Sequence, residues 1–84
     1  MSKIYVNTNF GSEYKIIKDK NQYCVLTKPI GGQEDDWEVI GGSVGMPESI
    51  FKTKKSARLF IKKISKSHIT EDAFWKILKR MQYT

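Results

Sequence analysis

The spacing of apolar residues changes once along the chain, and that change constrains the fold more than any other feature. In the first half, Tyr14 and Ile16 alternate with Ile17, and Tyr23 and Val25 alternate with Cys24 and Leu26. A period of two belongs to β-strands, whose successive side chains point to opposite faces. In the second half, Ala57, Phe60, Ile61 and Ile64 recur at i, i+3, i+4 and i+7, and so do Phe74, Ile77, Leu78 and Met81. That spacing belongs to one face of an α-helix.

The strand-like runs cover about residues 3–8, 13–18, 22–28, 36–41 and 48–52. Asp19-Lys20-Asn21 is a turn tripeptide between two β-rich runs, which predicts a hairpin. Pro29 to Gln33 reads as a loop that continues into the acidic run Glu34-Asp35-Asp36. Thr53 is a good N-cap for a helix over 54–65, and Thr70 caps a second over 71–82. Glu71 and Asp72 fall in the first turn of that second helix, where the helix dipole favours acids. The expected architecture is α+β: a three- or four-stranded antiparallel sheet packed against two C-terminal amphipathic helices. One sheet face needs cover, and two apolar helix stripes can supply it.

Length agrees with a single domain over 1–84, since 84 residues leave no room for a second core. With 39% hydrophobic and 12% aromatic residues, the composition excludes a wholly disordered chain, a collagen-like repeat and a coiled-coil rod. No run of about 18 apolar residues is present, so no membrane association is expected. The opening residues Met1 to Tyr5 carry no long apolar run, and Cys24 is the single cysteine. Both features predict a cytoplasmic protein.

Charge is distributed unevenly. Residues 1–48 hold five lysines against seven acids, a net −2, whereas residues 49–84 hold eight lysines and two arginines against two acids, a net +8. The excess falls on the helices. Lys55, Arg58 and Lys62 share the face opposite Phe60 and Ile64, flanked by Lys63 and Lys66, with Lys52 and Lys54 at the N-terminal approach. Lys76, Lys79 and Arg80 lie on the second helix. Aligned cations of this kind gain by displacing counterions from a polyanion. The same residues also suit a merely solvated helix face.

Two tryptophans stand beside this surface. Trp75 borders the apolar stripe of the second helix, so it extends the core or stacks on a base. Trp37 opens the third strand, and a buried place in the sheet is favoured for it over stacking on a nucleic acid.

No catalytic set is legible, and the chain is read as non-enzymatic. Gly41-Gly42-Ser43-Val44-Gly45 is followed by Met46-Pro47 rather than by the Gly-Lys-Ser/Thr of a phosphate-binding loop, so a connecting loop is expected. Glu34, Asp35, Asp36 and Glu38 form an acidic cluster without the further groups a metal-dependent nuclease would need. His68 and Cys24 are the sole histidine and cysteine, too few for a structural zinc. No metal or other cofactor is expected.

The stretch from Trp37 to Ile64 places a strand opening with tryptophan before Phe51-Lys52-Thr53-Lys54-Lys55-Ser56-Ala57. Over about residues 13–65 this resembles the arm-type DNA-binding domain of phage integrases and its relatives in plant ethylene-response factors. The shared element is a Phe-x-Thr-x-x-x-Ala entry into a helix behind a three-stranded sheet. The resemblance implies a phage or mobile-element origin and a sheet that enters the DNA major groove. It makes Tyr14, Lys18, Tyr23, Lys28 and Trp37 the implied contacts. Unlike that family's sheet, the one expected here carries no arginine.

Two functions are therefore expected. The first is a nucleic-acid-binding domain, with DNA the foremost partner, that holds phosphates through the ten helix-region cations named above. The alternative is a small inhibitor or adaptor that binds a host protein or nucleoprotein complex. It would use the acidic segment Gln33–Glu38 and Trp75, and would take an acidic partner if the cations are its contact surface.

Overall fold

The computed structural model describes residues 3–41, 49–66 and 69–81. Its elements are β1 (Tyr5–Asn7), β2 (Ser12–Asp19), β3 (Gln22–Pro29), a 3-10 turn (Glu34–Asp36), β4 (Glu38–Val39), β5 (Ile50–Phe51), α1 (Lys54–Ser65) and α2 (Glu71–Met81). All strand pairings are antiparallel, in the order β1-β2-β3-β4, with β5 also on β3. The α+β class and the two C-terminal helices are as the sequence predicts.

β4 and β5 are two halves of one edge. Leu26 and Thr27 of β3 face Val39 and Glu38, and Cys24 and Tyr23 face Ile50 and Phe51. Val25 sits at the junction. Its carbonyl accepts from Ile40 N (3.2 Å), and its N–H donates to Ser49 O (3.1 Å). Ser49 N donates to Ile40 O at 3.0 Å, and the buried Ser49 hydroxyl donates to Val25 O at 2.9 Å. Residues separated by nine positions in sequence thus close one continuous edge. The glycine-rich loop expected at 41–45 lies, beyond Gly41, outside the described residues.

The predicted third strand, 36–41, is corrected to two residues. The chain spends Glu34–Asp36 in a 3-10 turn instead, held by Gln33 N donating to Asp36 Oδ2 at 2.8 Å. Gly32 permits this closure: a Cβ there would stand 3.0 Å from both Asp36 Oδ2 and Pro29 O. Pro29, expected in a loop, is the last residue of β3. The first strand is shorter than 3–8 because Thr8 already enters a turn, and the fifth keeps only two residues of 48–52. α2 is described to Met81, and Gln82 lies outside the described residues.

Strand register sorts the side chains into two faces. Tyr5, Tyr14, Ile16, Tyr23, Val25 and Phe51 face the helices and pack with Ala57, Phe60, Ile61, Ile64, Leu78 and Met81. Phe60 is the centre, with its ring 5.3 Å from that of Phe51 and 5.7 Å from that of Phe74. Burying such a ring stabilises the fold by about 2–3 kcal/mol. The opposite face carries Val6, Glu13, Lys15, Ile17, Cys24, Leu26, Lys28 and Val39.

The end of α1 is tied to the β1–β2 turn. Asn7, 1% exposed, donates through Nδ2 to Ile64 O (3.3 Å) and to Tyr14 Oη (3.2 Å). Its Oδ1 accepts from Asn9 N and Phe10 N. Asn9 Nδ2 donates to Ser65 O at 3.4 Å. Two side-chain amides therefore satisfy carbonyls that a helix end leaves without partners.

Candidate nucleic-acid interface

The rotation of α1 about its axis is fixed by its buried stripe. Ala57, Phe60, Ile61 and Ile64 are all buried against the sheet and α2. Thr53 starts the helix, its hydroxyl oxygen accepting from Ser56 N at 3.1 Å. At about 100° per residue, the opposite face must then carry Lys55, Leu59, Lys62 and Lys66. Arg58 turns toward β1 and Lys63 toward α2. All six are exposed.

Residues 52–66 hold seven cations and no acid. Lys54, Arg58, Lys62 and Lys66 form an unbroken i, i+4 row of like charge. Each such pair costs an isolated helix about 0.2–0.5 kcal/mol. Lys54 and Lys55 also sit in the first turn, where the helix dipole disfavours cations. α2 is built differently: Glu71 and Asp72 open it, with Lys79 and Arg80 in its last turn. Its start is capped by the Thr70 hydroxyl oxygen, which accepts from Ala73 N at 3.1 Å.

The two helices bring cations together. Lys63 of α1 and Lys76 and Arg80 of α2 line a shallow groove of about 230 Å³ floored by Ala73, Ile77 and Met81. On the other flank of α1, Arg58 and Lys62 line a groove of about 350 Å³ with Lys3, Tyr5 and Ile61. Lys79 stands on the outer side of α2, and Lys52 precedes α1 by two positions; both are exposed. Among the described residues, no ion pair engages any of the ten predicted cations, and the one salt bridge present joins Lys28 to Glu13.

The predicted aromatic contacts fare differently. Trp37 is not in the core, contrary to expectation. It lies on the helix-free face, with Lys15 Nζ 4.6 Å and Lys28 Nζ 5.3 Å from its ring centroid. Its Nε1 donates to Glu34 Oε2 at 3.2 Å. Two cations already attend the ring electrostatically, so it is no open stacking platform. Trp75 is partly buried against the core, edge-on to Phe74 at 5.0 Å. Its buried Nε1 has no hydrogen-bond partner among the described residues.

Trp75 lines a cleft of about 690 Å³ with Phe10, Phe74, Glu38 and Glu71. This cleft opens between the sheet and the start of α2.

The contacts implied by the integrase resemblance do not form one surface. Tyr14 is 3% exposed, and burial pushes its phenol pKa up. Tyr23 packs against the core. Lys28 is 8% exposed and donates to Glu13 Oε2 at 2.7 Å and to Gly32 O at 3.1 Å. That hydrogen bond holds the Glu13 carboxyl below its ordinary pKa. Of the five, only Lys18 is exposed.

The acidic turn Glu34–Asp36 is exposed and makes no ion pair among the described residues. No three of its carboxylates or neighbouring ligands converge on a metal site among the described residues. No helix there is long and apolar enough to cross a membrane. His68 lies outside the described residues. Sequence reasoning missed Lys3, which nothing in the chain pattern ties to α1, and the buried Asn7. Comparison with known protein families, with curated proteins and with solved structures finds no match.

Proposed function

We propose that this chain is a non-enzymatic nucleic-acid-binding domain that holds phosphates with the outward face of α1 and the groove it shares with α2. One observation carries the reading: the acid-free row Lys54, Arg58, Lys62 and Lys66, which winds from the β1 flank of α1 onto its outward face beside Lys55, with Lys63, Lys76 and Arg80 on the α2 flank. A helix needed only for solubility is better served by mixed charges at i, i+4 spacing, and α1 forgoes that stabilisation. The ridge runs along a helix about 18 Å long. That length lets several cations meet successive phosphates.

This assigns the helices, rather than the sheet, as the contact surface. Binding then rests on the phosphate backbone with little base readout. Double-stranded DNA is the foremost partner, and a phage or mobile-element setting fits a small basic domain of this kind. A reducing cytoplasm suits a chain whose one cysteine, Cys24, is buried in β3.

The test is a titration of ¹⁵N-labelled protein with a DNA duplex of about one helical turn at about 50 mM salt, where backbone contacts are strongest. Amide shifts should concentrate on 54–66 and 76–80. Absence of any shift at that salt would sink the reading. A second function, as an inhibitor or adaptor for another protein, draws on the cleft lined by Phe10, Phe74 and Trp75. Under it, pull-downs would retain a protein partner after nuclease treatment and in high salt.

A further inference from the structure

The β1 edge of the sheet carries a second binding surface, which meets the cation row of α1 at Arg58 and Lys62. Hydrogen-bond direction alternates along each strand of an antiparallel sheet. Val25 directs its N–H and C=O toward the β4/β5 edge. Cys24, Leu26 and Lys28 must then direct theirs toward Ile17, Lys15 and Glu13 of β2. Ile30 N donating to Gly11 O confirms that phase. It follows that Tyr14 and Ser12 turn toward β1 and bond Tyr5 and Asn7, while Val6, opposite Glu13, directs its N–H and C=O out of the sheet.

β1 pairs only with β2 among the described residues. Two exposed apolar side chains lie along this edge: Ile4 is 43% and Val6, the most open large apolar residue among those described, 56% exposed. An edge that is apolar and unpaired is a template for another strand.

The two faces of this edge have different chemistry. On the helix side, Lys3, Arg58 and Lys62 surround Tyr5 and Ile61. On the other side stand Ile4 and, by strand parity, the Val6 side chain, although Val6 also borders that groove. We propose that β1 accepts an extended acidic segment of a partner protein as an added strand. Its acidic side chains, at alternate positions, meet Arg58 and Lys62. The apolar side chains between them cover Ile4 and Val6. Charge opposes pairing of β1 with β1 of a second copy, since that would set a second Arg58 and Lys62 against the first.

The test uses the whole protein and a capped heptapeptide alternating glutamate and valine, with its lysine–valine counterpart as control. Hydrogen exchange at the Val6 amide is the readout. The glutamate–valine peptide should slow that exchange at least tenfold at saturation, and the lysine–valine peptide should not. The doubly charge-reversed variant, Arg58→Glu with Lys62→Glu, alters exposed positions only and should weaken the glutamate–valine peptide about tenfold. Unchanged Val6 exchange with saturating peptide, or equal protection by both peptides, would overturn the proposal. Arg58 and Lys62 border both surfaces, but Val6 exchange reports the added strand and the amides of 76–80 report DNA, so the two readings succeed or fail on separate signals.

Discussion

Asn7 uses its whole side-chain amide within the fold, donating to Ile64 O and Tyr14 Oη and accepting from Asn9 N and Phe10 N. Asn7→Ala removes all four bonds, two of them buried, and should cost about 2–3 kcal/mol in urea or thermal unfolding. Lys20 is the reverse case: its φ of 58° lies in the left-handed region that disfavours side chains. Lys20→Gly removes a strain of about 1–2 kcal/mol at some entropic cost, so a small net gain in stability is expected.

Glu13 gives the fold a pH dependence. Its carboxyl pKa is lowered by the hydrogen bond from Lys28. A carboxyl whose folded pKa is below its unfolded one stabilises the fold above the unfolded value. That contribution is lost as pH falls through the folded one. The stability difference between wild type and Glu13→Gln should therefore be widest near neutral pH and fade below the ordinary carboxylate range, as unfolding curves at several pH values would show.

The elements were legible to different degrees, for physical reasons. α1 was legible because one stripe, Ala57, Phe60, Ile61 and Ile64, and one cap, Thr53, point to the same helix. The β2–β3 hairpin was legible because Tyr14, Ile16, Tyr23 and Val25 alternate cleanly. The split edge of β4 and β5 was not, since two-residue strands carry no period of their own and depend on the junction at Val25. As an aromatic at the head of a strand, Trp37 reads as a filler of the covered sheet face. Strand parity with buried Ile40 assigns it to the other face, and that signal was present in the sequence. At this scale, stability and binding should oppose one another. Lys54→Glu complements the helix dipole and pairs with Arg58, so it should raise stability by about 0.5–1 kcal/mol. The same change interrupts the cation ridge and should weaken DNA binding, which a melt and a titration on one sample can compare.

The whole molecule places its surplus positive charge on the layer of helices and its acidic turn on the sheet. The ten helix-region cations named from sequence are all exposed, and Lys63, Lys76 and Arg80 of the two helices line one groove. That convergence depends on how α2 packs against α1 and could not be read from either helix alone. DNA affinity should be measured across a salt series for wild type and for the triple variant Lys63→Ala, Lys76→Ala and Arg80→Ala. About five phosphate contacts would give a log–log slope near −4 to −5, and removing three cations should flatten it by about 2–3. Wild-type protein that does not bind at low salt, or a triple variant with an unchanged slope, would contradict the assignment of this helical face to nucleic acid.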